Sequence, residues 1–252
     1  MTIILVTGGN RGIGYGTVEV LAKQIADATI LLGCRSAAKA TEPIARLKHL
    51  GVPATIEPLE ITTTDDSSIK SAVDQVTKKY GRLDVLINNA GAITLPNSDD
   101  PTDIRKNWAE GFDCLLTSNV LVTKAFMPLL RKAEWGRVIM VSSTRGSLAK
   151  NKANGLPPPE HWLYGCSKAA LNLATIEFRN EELREVADEK DRVTFWAVCP
   201  GYCKTGLNGF KGFKDPVEGA AVTARLLGSR RGEILSGTFW GLEKGNFGQI
   251  PW

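Results

Sequence analysis

The sequence predicts an α/β domain in which a parallel, doubly wound sheet carries helices on both faces. Two observations lead there. Short, wholly apolar, β-branched runs such as Ile3-Ile4-Leu5-Val6 suit strands that are covered on both sides. Between such runs lie longer segments whose apolar residues recur every three to four positions, the period of a helix with one buried face. Strands alternating with amphipathic helices build parallel sheets. A length of 252 residues suits one such domain, and no internal repeat or low-complexity segment divides it, so residues 1–252 are read as a single unit.

The first strand runs into Thr7-Gly8-Gly9-Asn10-Arg11-Gly12-Ile13-Gly14, and Gly14, Val18, Leu21 and Ile25 then mark a helix face. A strand, a glycine-rich turn and a helix bring free backbone N–H groups and a positive helix end to one point, which suits a phosphate. Thr29–Gly33 is the second strand and ends in Cys34-Arg35-Ser36. In a dinucleotide-binding sheet this end meets the adenosine ribose, where an acidic residue holds the 2′-hydroxyl of NAD and an arginine suits the 2′-phosphate of NADP. Arg35, with Ser36 beside it and Arg11 in the glycine turn, points to NADP(H).

A helix near 37–50, a strand at 54–58 ending at Glu60-Ile61, and a helix marked by Ile69, Val73, Val76 and Tyr80 follow. Leu83–Asn88 is the fourth strand and leads to Asn89-Ala90-Gly91. A polar link with Pro96 and Pro101 precedes a long helix ending near Arg131. Asn119 inside it is a poor mid-helix residue, so it faces solvent or has a function. Gly136–Val141 is strand five and ends at Ser142-Ser143.

Residues 147–161 read as a loop, since Pro157-Pro158-Pro159 suits neither helix interior nor central strand. The next helix runs from Tyr164 to about Val186. Val193–Val198 is strand six, closed by Cys199-Pro200-Gly201. Glycines punctuate residues 204–216, with Leu207, Phe210 and Phe213 between them. This is either a lid over a substrate or a loop packed on the surface. A helix from about 216 to 228 and a strand at Gly237–Trp240 complete the sheet.

Tyr164 and Lys168 lie four apart and so share one helix face. An ammonium beside a phenol favours the phenolate and lowers its pKa, giving a proton donor or acceptor that works near neutrality.

Composition bounds the function classes. An apolar share of 43%, a charged share of 23% and a net charge of +4 without blocks of like charge give no indication of nucleic-acid or membrane binding. No apolar run is expected to reach the length needed to cross a bilayer. Five cysteines without paired spacing point to a reducing, cytoplasmic setting, and Met1-Thr2 leads straight into the first strand without room for a signal peptide. His49 and His161 show no metal-ligand spacing, so no metal is expected.

Thr7-Gly8-x-x-x-Gly12-x-Gly14, Asn88-Asn89-Ala90-Gly91, Ser143, Tyr164-x-x-x-Lys168 and Pro200-Gly201, in this order, resemble the short-chain dehydrogenase/reductase family. The likeness covers nearly the whole chain. The Asn-Arg-Gly-Ile-Gly turn with Arg35 is most similar to its NADPH-dependent carbonyl reductases. The resemblance implies a Rossmann-type sheet and a carbonyl substrate. Tyr164 would be the general acid and Lys168 would lower its pKa and bond the nicotinamide ribose. Ser143 would donate to the substrate oxygen, and Asn119 would hold a water near Lys168.

The resemblance further implies cofactor contacts from Gly8, Asn10, Arg11, Gly12, Ile13 and Gly14, and from Glu60 and Ile61, where the family more often has Asp at the Glu60 position. Asn89, Ala90, Gly91, Pro200, Gly201 and Thr205 would complete them. The gap from Ser143 to Tyr164 is longer than is common in the family. Leu148 and Trp162 within and beside it, with Leu207, Phe210 and Phe213, would shape the pocket for a fairly apolar small molecule. A homodimer or homotetramer is implied by analogy. Two other functions fit the same residues: a sensor that holds NADP(H) without turnover, and a biosynthetic enzyme that uses the pocket for a cyclisation.

Overall fold

A computed structural model of the chain describes residues 1–93, 99–153, 156 and 162–252. Among these residues, strands β1 (Thr2–Thr7), β2 (Ala28–Cys34), β3 (Thr55–Glu60), β4 (Val85–Asn88), β5 (Arg137–Val141), β6 (Thr194–Cys199), β7 (Thr238–Glu243) and β8 (Asn246–Gln249) form one sheet. Its order is β3-β2-β1-β4-β5-β6-β7-β8. The first seven run parallel, and β8 returns antiparallel along β7. The helices are α1 (Gly12–Gln24), α2 (Ala38–His49), α3 (Asp66–Tyr80), α4 (Pro101–Phe112), α5 (Ser118–Leu130), α6 (Leu148–Lys152), α7 (Trp162–Glu185) and α8 (Pro216–Leu227).

Side chains alternate across a strand, and β1 divides its apolar run accordingly. Ile4 and Val6 enter the layer that α1, α2 and α8 cover, through Val18, Leu47 and Leu226. Ile3 and Leu5 enter the opposite layer, packed with Ile69, Phe126 and Phe178 of α3, α5 and α7. Both faces of the sheet are therefore dry, which is why its strands read as continuous hydrophobic runs. At one edge, β3 alternates between buried and exposed residues and pairs Pro58 with Leu32 of β2.

Three expectations change. The strand β8 was not anticipated. It is reached through Lys244 (φ 50) and Gly245 (φ 81), a two-residue hairpin turn with positive φ at both positions. Lysine is not the usual first residue of such a turn, so the signal is weak in sequence. Residues 148–152, expected as loop, form α6, whose first turn is capped by the Ser147 hydroxyl accepting from Lys150 N at 3.1 Å. Pro96, Pro157, Pro158, Pro159 and His161 lie outside the described residues.

The third change concerns the helical stretch Pro101–Leu130, which is 30 residues long and apolar enough by length and composition to cross a bilayer. Here its apolar side chains, Val122, Phe126, Leu129 and Leu130, are buried against the sheet.

Helices α1 and α8 pack closely because Gly16 lacks a side chain. A Cβ there would lie 2.6 Å from the Pro216 carbonyl oxygen, and backbone cannot move aside as a flexible side chain can. In a free helix Gly→Ala stabilises by about 1 kcal/mol. Overpacking reverses the sign here: Gly16→Ala should lower unfolding free energy by about 1 kcal/mol or more, measured by urea denaturation. A stabilised variant would contradict this packing.

Candidate active site

The strand order reverses between β1 and β4, since β1 is followed outward by β2 and β4 by β5. Helical connections leave the sheet in opposite directions at that point, opening a crevice beyond the strand ends, where ligands bind in such sheets.

Thr7 and Asn89 build the floor of this crevice. The Thr7 hydroxyl donates to Ile87 O at 3.2 Å and accepts from Asn89 N and Ala90 N, each at 3.0 Å. Asn89 Nδ2 returns a bond to Thr7 O at 2.9 Å and reaches Gly8 O at 3.3 Å. Gly8 takes a positive φ of 64°, and a Cβ on Gly14 would lie 2.2 Å from Gly8 O, so the turn closes only with glycine at both places. Asn10 is half-buried and Arg11 exposed beside it.

The first turn of α1 contains no acidic residue, and its N-cap, Arg11, makes no side-chain capping bond. Its N–H groups and positive dipole end therefore remain available to an anion. Ile13 and Ala90 are half-buried, while Gly91 is exposed just beyond them. The glycine cradle and this helix end fit the pyrophosphate of a dinucleotide.

At the end of β2, Arg35 is exposed and Ser36 half-buried, with the Ser36 carbonyl accepting from Cys34 Sγ at 3.1 Å. Glu60 Oε2 accepts from Ala37 N at 3.3 Å, which ties the end of β3 to the approach to α2. Ile61 is buried, its N–H donating to Cys34 O at 2.9 Å.

The catalytic candidates converge from three elements. Ser143, just past β5, has extended backbone, and its Oγ accepts from Arg145 N at 3.2 Å while hydrogen-bonding the Tyr164 phenol. Tyr164 and Lys168 share a face of α7, with Lys168 Nζ 5.8 Å from the phenol ring centre. That ammonium donates to Val141 O at 2.7 Å. Asn119 is buried rather than facing solvent, and its Nδ2 donates to Leu115 O at 2.8 Å. A π-helical turn, Asp113–Thr117, lies immediately before α5. Such turns widen a helix and often accompany functional residues. The sequence offered no period from which to read it.

The electrostatics differ from the expected proton-lowering pair. Lys168 is buried and Tyr164 half-buried in a densely packed site, and such enclosure disfavours whichever form is charged. Burial pushes the Tyr164 phenol up to about 12, against which the Ser143 hydrogen bond works. Burial brings Lys168 down to about 8, opposed by the nearby Cys114 and Cys199 thiols. Desolvation thus outweighs the attraction that the four-residue spacing suggested.

The third segment descends from β6. Pro200 is buried, Gly201 half-buried, and Thr205 buried against the Gly12 turn. Beyond it, Leu207, Phe210 and Phe213 are exposed, as are Leu148 on α6 and Trp162 at the start of α7. Phe213 packs edge-on against Tyr202, 5.9 Å between ring centres. The ends of the loop are fastened together, with Lys204 N donating to Lys214 O at 2.9 Å and Phe213 N to Tyr202 O at 3.1 Å. Cys199 and Cys203 are buried, whereas Cys166 is exposed. Sequence reading also passed over Asn172, one turn beyond Lys168. Its Oδ1 accepts from the Ser142 hydroxyl at 2.5 Å, fixing α7 on the end of β5.

A dinucleotide cradle at the switch point, followed by half-buried Ser143 and Tyr164 beside a buried Lys168, defines a nicotinamide-dependent oxidoreductase of the α/β class. The model of the short chain dehydrogenase family matches residues 2–214. A short-chain dehydrogenase/reductase of Aspergillus fumigatus is 33% identical over 99% of this chain and 97% of its own. The pig carbonyl reductase [NADPH] 1 is 28% identical over 89% of this chain and 86% of its own. The structure of an NADPH-bound carbonyl reductase from chicken fatty liver superposes with a TM-score of 0.76 at 26% identity, covering 100% of both chains. The chain belongs to the short-chain dehydrogenase/reductase family, as an oxidoreductase acting on C=O and CH–OH groups.

Burial of Lys168 has a measurable sign. Its ammonium titrates near 10.5 when unfolded and near 8 when folded. Between those values the unfolded chain holds a proton the folded chain has lost, so stability rises with pH. Tyr164 opposes this only above its ordinary value of 10.0. Relative to Lys168→Met, the wild type should therefore gain on the order of 2 kcal/mol of unfolding free energy between about pH 7.5 and about pH 9.5. Chemical denaturation at the two pH values measures this, and parallel curves would refute a desolvated lysine.

Proposed function

We propose that the protein is an NADPH-dependent reductase of a ketone, aldehyde or imine-like carbon in a fairly apolar small molecule, with Tyr164 as general acid. The observation that carries this reading is the half-buried Tyr164 phenol, bonded to Ser143 and one turn from Lys168. A phenol held near 12 is fully protonated at neutral pH and ready to donate. NADPH supplies the hydride when bound. The Ser143 hydroxyl donates to the substrate oxygen as negative charge gathers there, and the Tyr164 proton completes the alcohol. Lys168, anchored on Val141 O, presents positive charge beneath the phenolate that is left. Asn119 would hold a water on the far side of Lys168.

The preference for NADP(H) rests on Arg35, exposed at the end of β2, with Arg11 across the glycine turn. Both guanidinium groups suit a phosphate dianion and neither favours a bare diol. The relatives named as NADPH enzymes agree with this. The apolar substrate rests on Leu148, Trp162, Leu207, Phe210 and Phe213, which stand exposed on the segments leading from Ser143, into Tyr164 and from Thr205. Apolar exposure of this kind marks a binding surface. A homodimer or homotetramer is proposed through α5 and α7, supported by Leu121 and Leu173 exposed on those helices. A cytoplasmic setting is proposed on the five unpaired thiols.

Loss of NADPH absorbance against ketones, aldehydes, quinones and cyclic imines tests the reading. Tyr164→Phe should lower kcat by roughly 100- to 10,000-fold while leaving NADPH affinity nearly unchanged, measured by fluorescence titration. Turnover that survives this change would remove Tyr164 from the chemistry. Arg35→Asp should shift the NADPH/NADH ratio of kcat/KM by about 10- to 100-fold towards NADH, the size of a charged hydrogen bond. An unchanged ratio would put the 2′-phosphate elsewhere.

A further inference from the structure

The turn that holds Ser143 is only three residues long, Thr144–Gly146, and is pinned from both sides. A short 3₁₀ turn has too few internal bonds to fix its own geometry. Within it, Arg145 N donates to Ser143 Oγ at 3.2 Å and Gly146 N to Ser143 O at 2.8 Å. On one side the turn abuts α7. A Cβ on Gly146 would lie 2.5 Å from the Lys168 carbonyl carbon, so the turn rests directly on the backbone that carries the lysine.

On the other side stands the segment Ile250-Pro251-Trp252. The Ser147 hydroxyl, on a fully buried residue, donates to Pro251 O at 2.6 Å, and Ala149 N donates to Trp252 O at 3.0 Å. That segment is fixed to the sheet in turn. Ile250 N donates to Phe239 O at 2.7 Å, and the Trp252 ring stacks on Phe239 at 5.5 Å with 15° between planes. A continuous chain of contacts thus runs from β7 through Trp252, Pro251 and Ser147 to the turn that orients the Ser143 hydroxyl.

We propose that Trp252, acting with Pro251 through Ser147, is a positioning residue for Ser143. The catalytic consequence rests on the reductase reading, whereas the structural consequence does not. Losing the ring frees the two main-chain oxygens, of Pro251 and Trp252, that clamp residues 147–149 and lets the Ser143 turn open. Because Ser143 donates to an oxygen that becomes charged only in the transition state, the defect falls on kcat rather than KM. Because Ser143 also bonds Tyr164, loosening it raises the phenol further and moves the acid limb of the reverse, alcohol-oxidising reaction to higher pH.

The test is amide hydrogen exchange on the full chain, with Trp252→Ala, Trp252→Phe and Ser147→Ala beside wild type. Trp252→Ala should speed exchange at the Arg145 and Gly146 amides by at least ~10-fold, with Leu5 and Val6 of β1 unchanged. Trp252→Phe keeps a stacking ring and should restore protection. Ser147→Ala breaks the link by another route and should match Trp252→Ala, which also covers the case in which the tryptophan variant does not fold. In the presence of NADPH and benzil, kcat should fall by about 10-fold at constant KM and recover in Trp252→Phe. Unchanged exchange at Arg145 and Gly146 in a folded Trp252→Ala or in Ser147→Ala, or protection lost equally across the sheet in Ser147→Ala, would overturn the proposal. Absence of wild-type turnover on every carbonyl would count against the reductase reading alone, since the exchange result still decides the role of Trp252.

Discussion

Five hydrogen bonds between Thr7, Gly8 and the segment Ile87–Ala90 hold the neighbouring strands β1 and β4 together at their carboxyl ends. Everything that makes a binding crevice depends on that junction. It joins residues some 80 positions apart and fixes the glycine turn against the neighbouring strand. Only then does α1 start where its uncapped N–H groups face the open end of the sheet. The Asn89 carboxamide nitrogen is spent on this task. Buried polar groups that are fully partnered in this way specify one geometry, because any alternative leaves them unpaired.

The catalytic cluster follows a different logic. Lys168 is buried and Tyr164 half-buried, and for each the enclosure disfavours the charged form. An enclosed phenol beside an enclosed amine is a low-dielectric site in which added charge is felt strongly. A developing negative charge on a substrate oxygen would be compensated there by Ser143 and Lys168 rather than by solvent. The same enclosure explains why the amine is anchored on a main-chain carbonyl, since a buried donor without a partner is costly.

The fold was legible because parallel strands covered on both faces leave unbroken apolar runs, and because the glycine turn, Asn89–Gly91, Ser142-Ser143 and Pro200-Gly201 follow directly on the carboxyl ends of strands. The candidate site residues stood out as motifs in order. Their electrostatics did not: a spacing of four gives adjacency on a helix but says nothing about burial, and burial decided the direction for Tyr164. Asn119 was recognisable as misplaced in a helix, yet the π turn before it leaves no pattern in composition. Strand β8 was hidden by a turn with lysine where asparagine is usual. The clamp on Ser147 joins positions 104 apart through main-chain carbonyls, which any residue provides, so only coordinates reveal it.

Pro58 also bears on how copies of the chain can meet. It stands on β3, the outermost strand at one end of the sheet, and has no N–H to offer a newcomer. At the other end the outermost strand is β8, four residues long and bent back in a tight hairpin. Short or proline-bearing borders discourage another strand from joining by backbone pairing. With both borders blunted, backbone pairing between this sheet and a strand of another chain is disfavoured at either end.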